Sequence, residues 1–141
     1  MAKLTIQLVV WNGARYLPAL FEALASQTFR DFDLLILDNG STDDTCRIVE
    51  SRATQLPSML FFKERNNVGF SGGHNILFQK SESDYVLVLN QDVVFGDDLL
   101  SQMVKYLDEN PKVASVSPRL MRTDDGTRVG EVDSLGLSVD R

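Results

Sequence analysis

Cysteine, histidine and tryptophan each occur only once in the 141 residues of this chain, which has four prolines. A single cysteine, Cys46, cannot form an internal disulfide, so a disulfide-stapled scaffold is excluded. Neither Cys46 nor His74 has a second Cys or His at metal-ligand spacing, which argues against a zinc site. We interpret Cys46 as a packed side chain and His74 as a helix-surface or packed one, and we expect a reducing compartment such as the cytoplasm.

Basic residues and long apolar runs are also scarce. The chain has 14 Lys and Arg against 20 Asp and Glu, a formal charge of −6. Binding to nucleic acid requires a clustered excess of Lys and Arg, so we expect no nucleic-acid partner. No run approaches the roughly 20 apolar residues of a membrane span. The apolar start at Leu4–Trp11 is too short, and lacks the cleavage pattern, for a signal peptide.

Short apolar runs alternate with longer segments of helical period along most of the chain. Runs of four to seven residues rich in Val, Ile, Leu and Phe are typical of strands buried on both faces. The alternation predicts an α/β fold, a mostly parallel, doubly wound sheet with helices on both faces. The predicted strands are Leu4–Val10, Phe32–Leu37, Met59–Phe62, Tyr85–Leu89 and Val113–Val116.

The pattern changes from Arg119 onward. We predict one α/β domain over residues 1–118 and the start of a second region over residues 119–141. Turn residues at Thr123–Gly126, followed by loose alternation over Arg128–Val139, suggest a hairpin or an extended excursion there. The chain then ends with no closing helix, so we expect a sheet domain truncated at its C-terminus.

Polar clusters follow four of the predicted strands. In an open parallel sheet, ligands bind outside the carboxyl ends of the strands, where the connecting loops converge. The four clusters therefore predict one binding site at one edge of the sheet. They are Trp11–Gly13, Asp38–Ser41, Glu64–Asn67 and Asn90–Asp92.

Each cluster also has a structural explanation. Ser41 or Thr42 is placed to cap the next helix, while Asp38 and Asn39 remain available for a base or ribose. The glycines of the Asn67–Asn75 segment let backbone N–H groups approach an anion, although such segments are often only turns.

A cation site is the corresponding hypothesis for the last cluster. Asn90 and Asp92 project the same way if the chain stays extended, and one carboxylate with a neutral partner can hold Mg²⁺ or Mn²⁺ together with phosphates and water. The alternative is an aspartate that simply turns the chain after a strand.

Taken together, these segments resemble the inverting glycosyltransferases of GT-A fold (family 2 type), and most of all the rhamnosyltransferase-like members. The resemblance runs from Leu4 to Pro118. It implies transfer of a sugar, for that branch rhamnose, from a dTDP- or UDP-linked donor to a glycan or lipid-linked acceptor with inversion. It also implies cell-surface polysaccharide biosynthesis, in the cytoplasm or peripherally at the inner membrane.

The resemblance assigns roles to particular residues. The residues after the first two strands would hold the base and ribose, and the glycine-rich loop would lie along the donor. The last cluster would replace the family's Asp-x-Asp motif, with Asp92 as the Mg²⁺ or Mn²⁺ ligand. Asn90 stands where the first acid is usual, which leaves metal dependence open. The implied substrate-binding residues are Val9, Trp11, Asp38, Asn39, Asn67, Gly69, Gly73 and Asn90.

The resemblance also implies a general base that a later segment supplies, and no residue before Arg141 matches it. Two hypotheses stay open: the chain is the donor-binding part of a transferase, with or without activity on its own, or it is a non-catalytic module that binds a nucleotide or nucleotide sugar. A receiver-like signalling domain is disfavoured because Trp11–Gly13 supplies no acids. Apolar surface exposed at a missing junction would favour a dimer.

Overall fold

A computed structural model describes residues 2–52, 56, 58–124 and 127–134 of the chain. The chain divides into two compact units, Met1–Ser101 and Gln102–Arg141. The first unit contains the parallel sheet and the polar strand ends. The predicted boundary after residue 118 stays a prediction.

The first unit is built on a four-stranded, fully parallel sheet with the strand order β3-β2-β1-β4. Helices join consecutive strands, as a parallel sheet requires. This architecture confirms the predicted doubly wound α/β class. The strands are β1 Leu4–Val10, β2 Phe32–Asn39, β3 Met59–Glu64 and β4 Tyr85–Leu89, and the helices that join them are α1 Leu17–Ala25, α2 Thr45–Ser51 and α3 Phe70–Phe78. Helix α4, Leu99–Glu109, begins at the end of this unit and continues into the second.

The central strands β1 and β2 are buried along almost their whole length, which explains their continuous apolar sequences. Strand β4, at one side of the sheet, alternates instead between covered and exposed positions, with Val86 and Val88 exposed. Val10 of β1 lies beside Asp38 of β2, and Leu8 lies beside Leu89 of β4. The carboxyl ends of these strands therefore end at a common edge.

Helix α3 packs closely on one face of the sheet. Its Leu77 is fully buried against Leu35 and Leu37, and Val9 and Phe62 pack around them. A Cβ atom at Gly73 would lie 2.9 Å from both Cγ atoms of Val9. The helix can approach β1 this closely because position 73 has no side chain.

A short polar row runs along β1 beneath the same helix. The buried Gln7 side chain donates from Nε2 to Ser81 Oγ at 2.9 Å, and its Oε1 lies 3.3 Å from His74 Nδ1. The Phe70 ring contacts the His74 imidazole, with 4.4 Å between the ring centroids. Nε2 of His74 is buried and has no hydrogen-bond partner in the described part of the chain. Of the two positions predicted for His74, on the helix surface or packed, the structure shows the packed one.

His74 should make the free energy of unfolding depend on pH between about pH 7.5 and 5.5. Burial lowers the pKa of His74 below its ordinary value of 6.5, so the unfolded chain binds this proton at a higher pH than the folded one. The contribution of His74 to the free energy of unfolding should therefore be constant above about pH 7.5 and fall as the pH decreases through 6.5. Since the chain has no second histidine, His74→Gln should flatten the decrease between pH 7.5 and 5.5 in thermal melts. An unchanged decrease would contradict this assignment.

Gln27 ties the end of α1 to the start of α4. Its Nε2 donates to the Gly96 carbonyl at 2.7 Å, and its Oε1 accepts from the Leu100 N–H at 3.1 Å. Gln27 is buried, so these contacts are protected from water. These two hydrogen bonds fix the C-terminal end of the segment that connects β4 to α4.

The second unit contains an antiparallel pair, β5 Leu120–Asp124 and β6 Thr127–Ser134. This pair is a hairpin, one of the two forms predicted for this region, although Thr123 and Asp124, predicted as turn residues, end β5. Residues 125, 126 and 135–139 of that prediction lie outside the described residues. The predicted strand Val113–Val116 is wrong: no described strand pairs with this run, and a strand exists only through such pairing. Within the described ranges, no helix is long and apolar enough to cross a membrane.

Candidate functional site

The strand order places a topological switch point between β1 and β4. From β1 the chain moves outward to β2 and β3, and then returns to the other side of β1 to form β4. Open α/β sheets bind ligands in the crevice at such a reversal, outside the carboxyl ends of the strands. We call the residues that follow or end the four strands at this edge the carboxyl edge.

Trp11 and Gln91 face each other across the switch point. The Trp11 N–H donates to Gln91 Oε1 at 3.0 Å, and Gln91 Nε2 donates to the Trp11 carbonyl at 3.1 Å. We call this pair of hydrogen bonds the Gln91 bridge. The indole ring of Trp11 is 52% exposed, so it is available to a ligand at the edge.

Asn12 connects the loop after β1 with the loop after β2. It adopts a left-handed conformation with φ of 46°, which asparagine tolerates better than most residues. Its N–H donates to Ser41 Oγ at 2.9 Å, and its Oδ1 accepts from the Thr42 N–H at 2.8 Å.

Asp43 holds the start of α2. Its Oδ1 accepts from the Thr45 N–H at 3.0 Å and its Oδ2 from the Ala14 N–H at 3.1 Å. Desolvation raises the pKa of Asp43, but hydrogen bonds from Thr45 and Ala14 outweigh it and hold the pKa below its ordinary value. The prediction that Ser41 or Thr42 caps this helix is therefore wrong, because both are engaged by Asn12.

Asp38, the penultimate residue of β2, is 3% exposed. Its Oδ2 accepts from the Ser41 N–H at 3.1 Å, while its buried Oδ1 has no partner among the described residues. The Cys46 thiol is a neighbour: burial raises the pKa of Cys46, and its interaction with Asp38 raises it further. The site thus contains one carboxylate oxygen with unused hydrogen-bonding capacity.

Asn39 fastens the loop that leads into α3. Its Nδ2 donates to Asn67 Oδ1 at 3.0 Å and to the Gly69 carbonyl at 3.2 Å, and its Oδ1 accepts from the Val68 N–H at 2.8 Å. Asn67 Oδ1 also accepts from the Gly69 N–H. The amide of Asn39 is fully used within the protein, so its geometry supports a positioning role.

Two other predicted site residues lie beneath the edge. Val9 packs in the core with Leu37 and Leu77. Gly73 is buried, and its N–H donates to the Gly69 carbonyl at 3.0 Å. Gly69 itself is exposed with φ of 80°, and a Cβ there would meet nothing within 4 Å. Of these glycines, Gly69 is the one that faces open space at the edge.

Asn90 and Asp92 follow β4 and are both exposed. Gln91 and Asp92 form a turn, so the chain does not stay extended after β4, which was the condition for Asn90 and Asp92 to project the same way. Across the described ranges, no group of three or more His, Cys, Asp or Glu side chains could hold a metal ion. The donor set is therefore one carboxylate and one amide, which fits a hard cation only if phosphate oxygens and water complete its shell. A metal at this edge would need the diphosphate of a bound nucleotide.

Hydrogen bonds connect all four polar clusters into one rim. They link the loops after β4 and β1, after β1 and β2, and after β2 and β3. The sequence prediction gave no role to Gln91, Asn12 or Asp43, which make several of these bonds. Of these three residues, only Asn12 could have been recognised from its neighbours, because asparagine before glycine favours left-handed turns.

A family model described as glycosyl transferase family 2 matches residues 5–135 of the chain. The chain belongs to glycosyltransferase family 2. Its parallel sheet has the GT-A fold of this family, as the resemblance implied.

One relative in the family is TarS of Staphylococcus aureus, a poly(ribitol-phosphate) β-N-acetylglucosaminyltransferase, which is 27% identical over 112 residues. The match covers 78% of this chain and 20% of TarS, so the chain spans about a fifth of that relative. The crystal structure of TarS residues 1–349 in complex with UDP superposes with a TM-score of 0.72, at 22% identity, over 86% of this chain and 40% of that one.

A second solved structure of the same fold is the mannosyltransferase PcManGT of Pyrobaculum calidifontis, in complex with GDP-Man and Mn²⁺. It superposes with a TM-score of 0.70, at 20% identity, over 85% of this chain and 34% of that one. At these identities both structures establish the GT-A fold of the chain.

Proposed function

We propose that the carboxyl edge binds the nucleotide diphosphate of a sugar donor, and that the chain is the donor-binding part of a transferase. The observation that carries this proposal is the buried Oδ1 of Asp38, which has no hydrogen-bond partner among the described residues and lies in a rim whose loops are joined by hydrogen bonds. A buried polar atom without a partner costs stability, and such groups are often functional. Binding of UDP by the TarS fragment supports the same ligand class.

The chemistry of a pyrimidine suits these residues. Uracil and thymine present one ring N–H between two carbonyl oxygens, and a carboxylate is an acceptor for that N–H. The exposed indole of Trp11 offers an aromatic face to a base or ribose. We propose Asp38 and Trp11 as base-side residues, with Asn39, Asn67 and Gly69 holding the neighbouring loop.

The diphosphate would lie toward the end of β4. During glycosyl transfer, positive charge develops on the sugar and negative charge on the departing diphosphate. A bound Mg²⁺ or Mn²⁺ would stabilise that negative charge. Within this chain, Asp92 is the proposed carboxylate toward the cation, and Asn90 offers a neutral oxygen or N–H donor beside it.

The donor sugar and the acceptor are further proposals. The resemblance favours a rhamnosyl group transferred with inversion, whereas the name of TarS supports an N-acetylglucosaminyl group. For the acceptor we propose a cell-surface glycan or a lipid-linked glycan, and the name of TarS, which contains poly(ribitol-phosphate), supports a polymeric acceptor. The second candidate function is binding of the nucleotide sugar without transfer, and release of nucleotide in the presence of acceptor distinguishes it.

The test uses the single tryptophan as a reporter. UDP, dTDP, UDP-GlcNAc and dTDP-rhamnose are titrated while Trp11 fluorescence and the melting temperature are followed. Ligand at 100 times its Kd should stabilise the fold by about 2.7 kcal/mol. Asp38→Asn keeps the size of the side chain but removes its charge, so it should weaken UDP binding about tenfold or more. Asp33→Asn, at the opposite end of the same strand, is the matched control and should change the Kd less than twofold.

The same measurement is repeated with Mn²⁺, added alone and together with UDP. Mn²⁺ alone should not shift the melting temperature, because one carboxylate is a weak cation site, whereas Mn²⁺ with UDP should shift it more than UDP does alone. If the wild-type chain binds none of the nucleotides, the proposed function is wrong. Equal UDP affinity in the Asp38→Asn and Asp33→Asn chains would contradict the role of Asp38.

A further inference from the structure

Gln91 extends the pairing of β1 and β4 past the point where the backbone ladder stops. The register of the two strands ends at Leu8 beside Leu89. Two residues after Leu89, in the turn that follows β4, the side-chain amide of Gln91 bonds to both the N–H and the carbonyl of Trp11. A primary amide carries the same donor and acceptor as a peptide group, so it acts here as one additional rung.

Gly13 provides a second observation on the same contact. A Cβ atom at position 13 would lie 2.3 Å from Gln91 Oε1 and 2.9 Å from its Cδ. The end of the Gln91 side chain could swing away from such a Cβ, but it would then give up its bonds to Trp11, so the Gln91 bridge and a side chain at position 13 exclude each other. The bridge therefore depends on residues in two loops that are 80 positions apart in the chain.

We propose that Gln91 is a positioning residue that fixes the distance between the base-binding and the diphosphate-binding sides of the edge. This inference rests on the proposed function. Trp11, on the base side, is held directly by the bridge, and Asp92, on the diphosphate side, is the next residue after Gln91. A ligand that contacts both sides benefits when their separation is set before it binds.

The chemistry of position 91 is specific. Glutamate can accept from the Trp11 N–H but cannot donate to the Trp11 carbonyl, and its charge would face that carbonyl oxygen. Alanine removes both bonds. The proposal therefore predicts that glutamine at position 91 holds the two loops together more firmly than glutamate or alanine does.

A comparison of two ligands tests the inference. Uridine reaches only the base side, whereas UDP spans both sides. Gln91→Ala should weaken UDP binding about tenfold and uridine binding less than about threefold, because the loss of two hydrogen bonds acts mainly on the ligand that spans the bridge. Isothermal titration calorimetry gives both Kd values. Gln79→Ala, an exposed glutamine at the end of α3, is the matched control and should leave both unchanged.

Trp11 gives a measurement that needs no ligand. Without the bridge, the loop that carries Trp11 should move more freely, so acrylamide should quench its fluorescence about twofold more efficiently in Gln91→Ala than in Gln79→Ala. Since the chain has no second tryptophan, the signal comes from this residue alone. If Gln91→Ala fails to fold, Gln91→Glu, which keeps the size of the side chain, replaces it in both measurements.

The outcomes separate this inference from the proposed function. A wild-type chain that binds neither ligand overturns the proposed function, while quenching still reports on the bridge. A wild-type chain that binds UDP, with an unchanged ratio of UDP to uridine affinity in Gln91→Ala, overturns the inference alone. A selective loss of UDP affinity together with increased quenching supports it.

Discussion

Replacing Asn39 with alanine should lower the free energy of unfolding by about 2 kcal/mol and weaken UDP binding about tenfold or more. The substitution removes three hydrogen bonds that hold residues 67–69 to the end of β2. Asn39 is 2% exposed, so alanine also leaves a small cavity. Because Val68 and Asn67 are exposed, water can replace part of the lost bonding, which keeps the expected stability loss moderate.

Urea unfolding and UDP titration measure the two effects. Asn66→Ala is the matched control, because Asn66 is an exposed asparagine in the same loop. We expect it to change stability by less than about 0.5 kcal/mol. If Asn39→Ala bound UDP as tightly as Asn66→Ala does, the loop at residues 67–69 would not be part of the binding site.

The fold class could be predicted because it depends on periodicity that is visible in short windows. The limits of β1 and β4 were predicted correctly, since both strands are bounded by residues that do not continue the apolar run. Strands β2 and β3 extend two residues further than predicted. Asp38 and Asn39 continue the ladder beside Lys63 and Glu64, and their polar side chains conceal this in the sequence.

The hydrogen bonds of the site could not be predicted in the same way. The local pattern favoured Ser41 as a helix cap, but Asn12 of another loop takes the Ser41 hydroxyl, and Asp43 holds the helix start instead. The contact of Gln91 with Trp11 spans 80 positions. Contacts between loops depend on strand order and register, which the sequence of any single loop does not contain.

The roles of the glycines in the Asn67–Asn75 segment could not be predicted from the local sequence either. The sequence suggested that the glycines at 69 and 73 approach a donor alike, yet Gly69 is exposed and Gly73 is buried under α3. Their difference follows from the position of each in the helix. Position 73 is one turn into α3, on the side that faces β1, whereas position 69 precedes the helix.

Gly73→Val should be the most destabilising of the substitutions considered, with a loss of about 3 kcal/mol. Even a bare Cβ at position 73 would lie 2.9 Å from Val9 Cγ1 and Cγ2 and 3.2 Å from Leu37 Cδ2. Those side chains belong to the packed core, so they cannot move aside without opening space elsewhere. The helix would have to shift away from β1, and its N-terminal end, with Gly69, would shift with it.

Gly72→Val is the matched control in the same helix. A Cβ there would contact the exposed Val68 side chain at 3.3 Å, which can move into solvent, so we expect a loss below about 1 kcal/mol. Urea unfolding of the two variants gives the stabilities, and UDP titration of Gly73→Val should show weaker binding because the loop before α3 is displaced. Equal stabilities would mean that α3 does not need close contact with β1, and Gly73 would then require another explanation, such as the donor contact that its sequence context suggested.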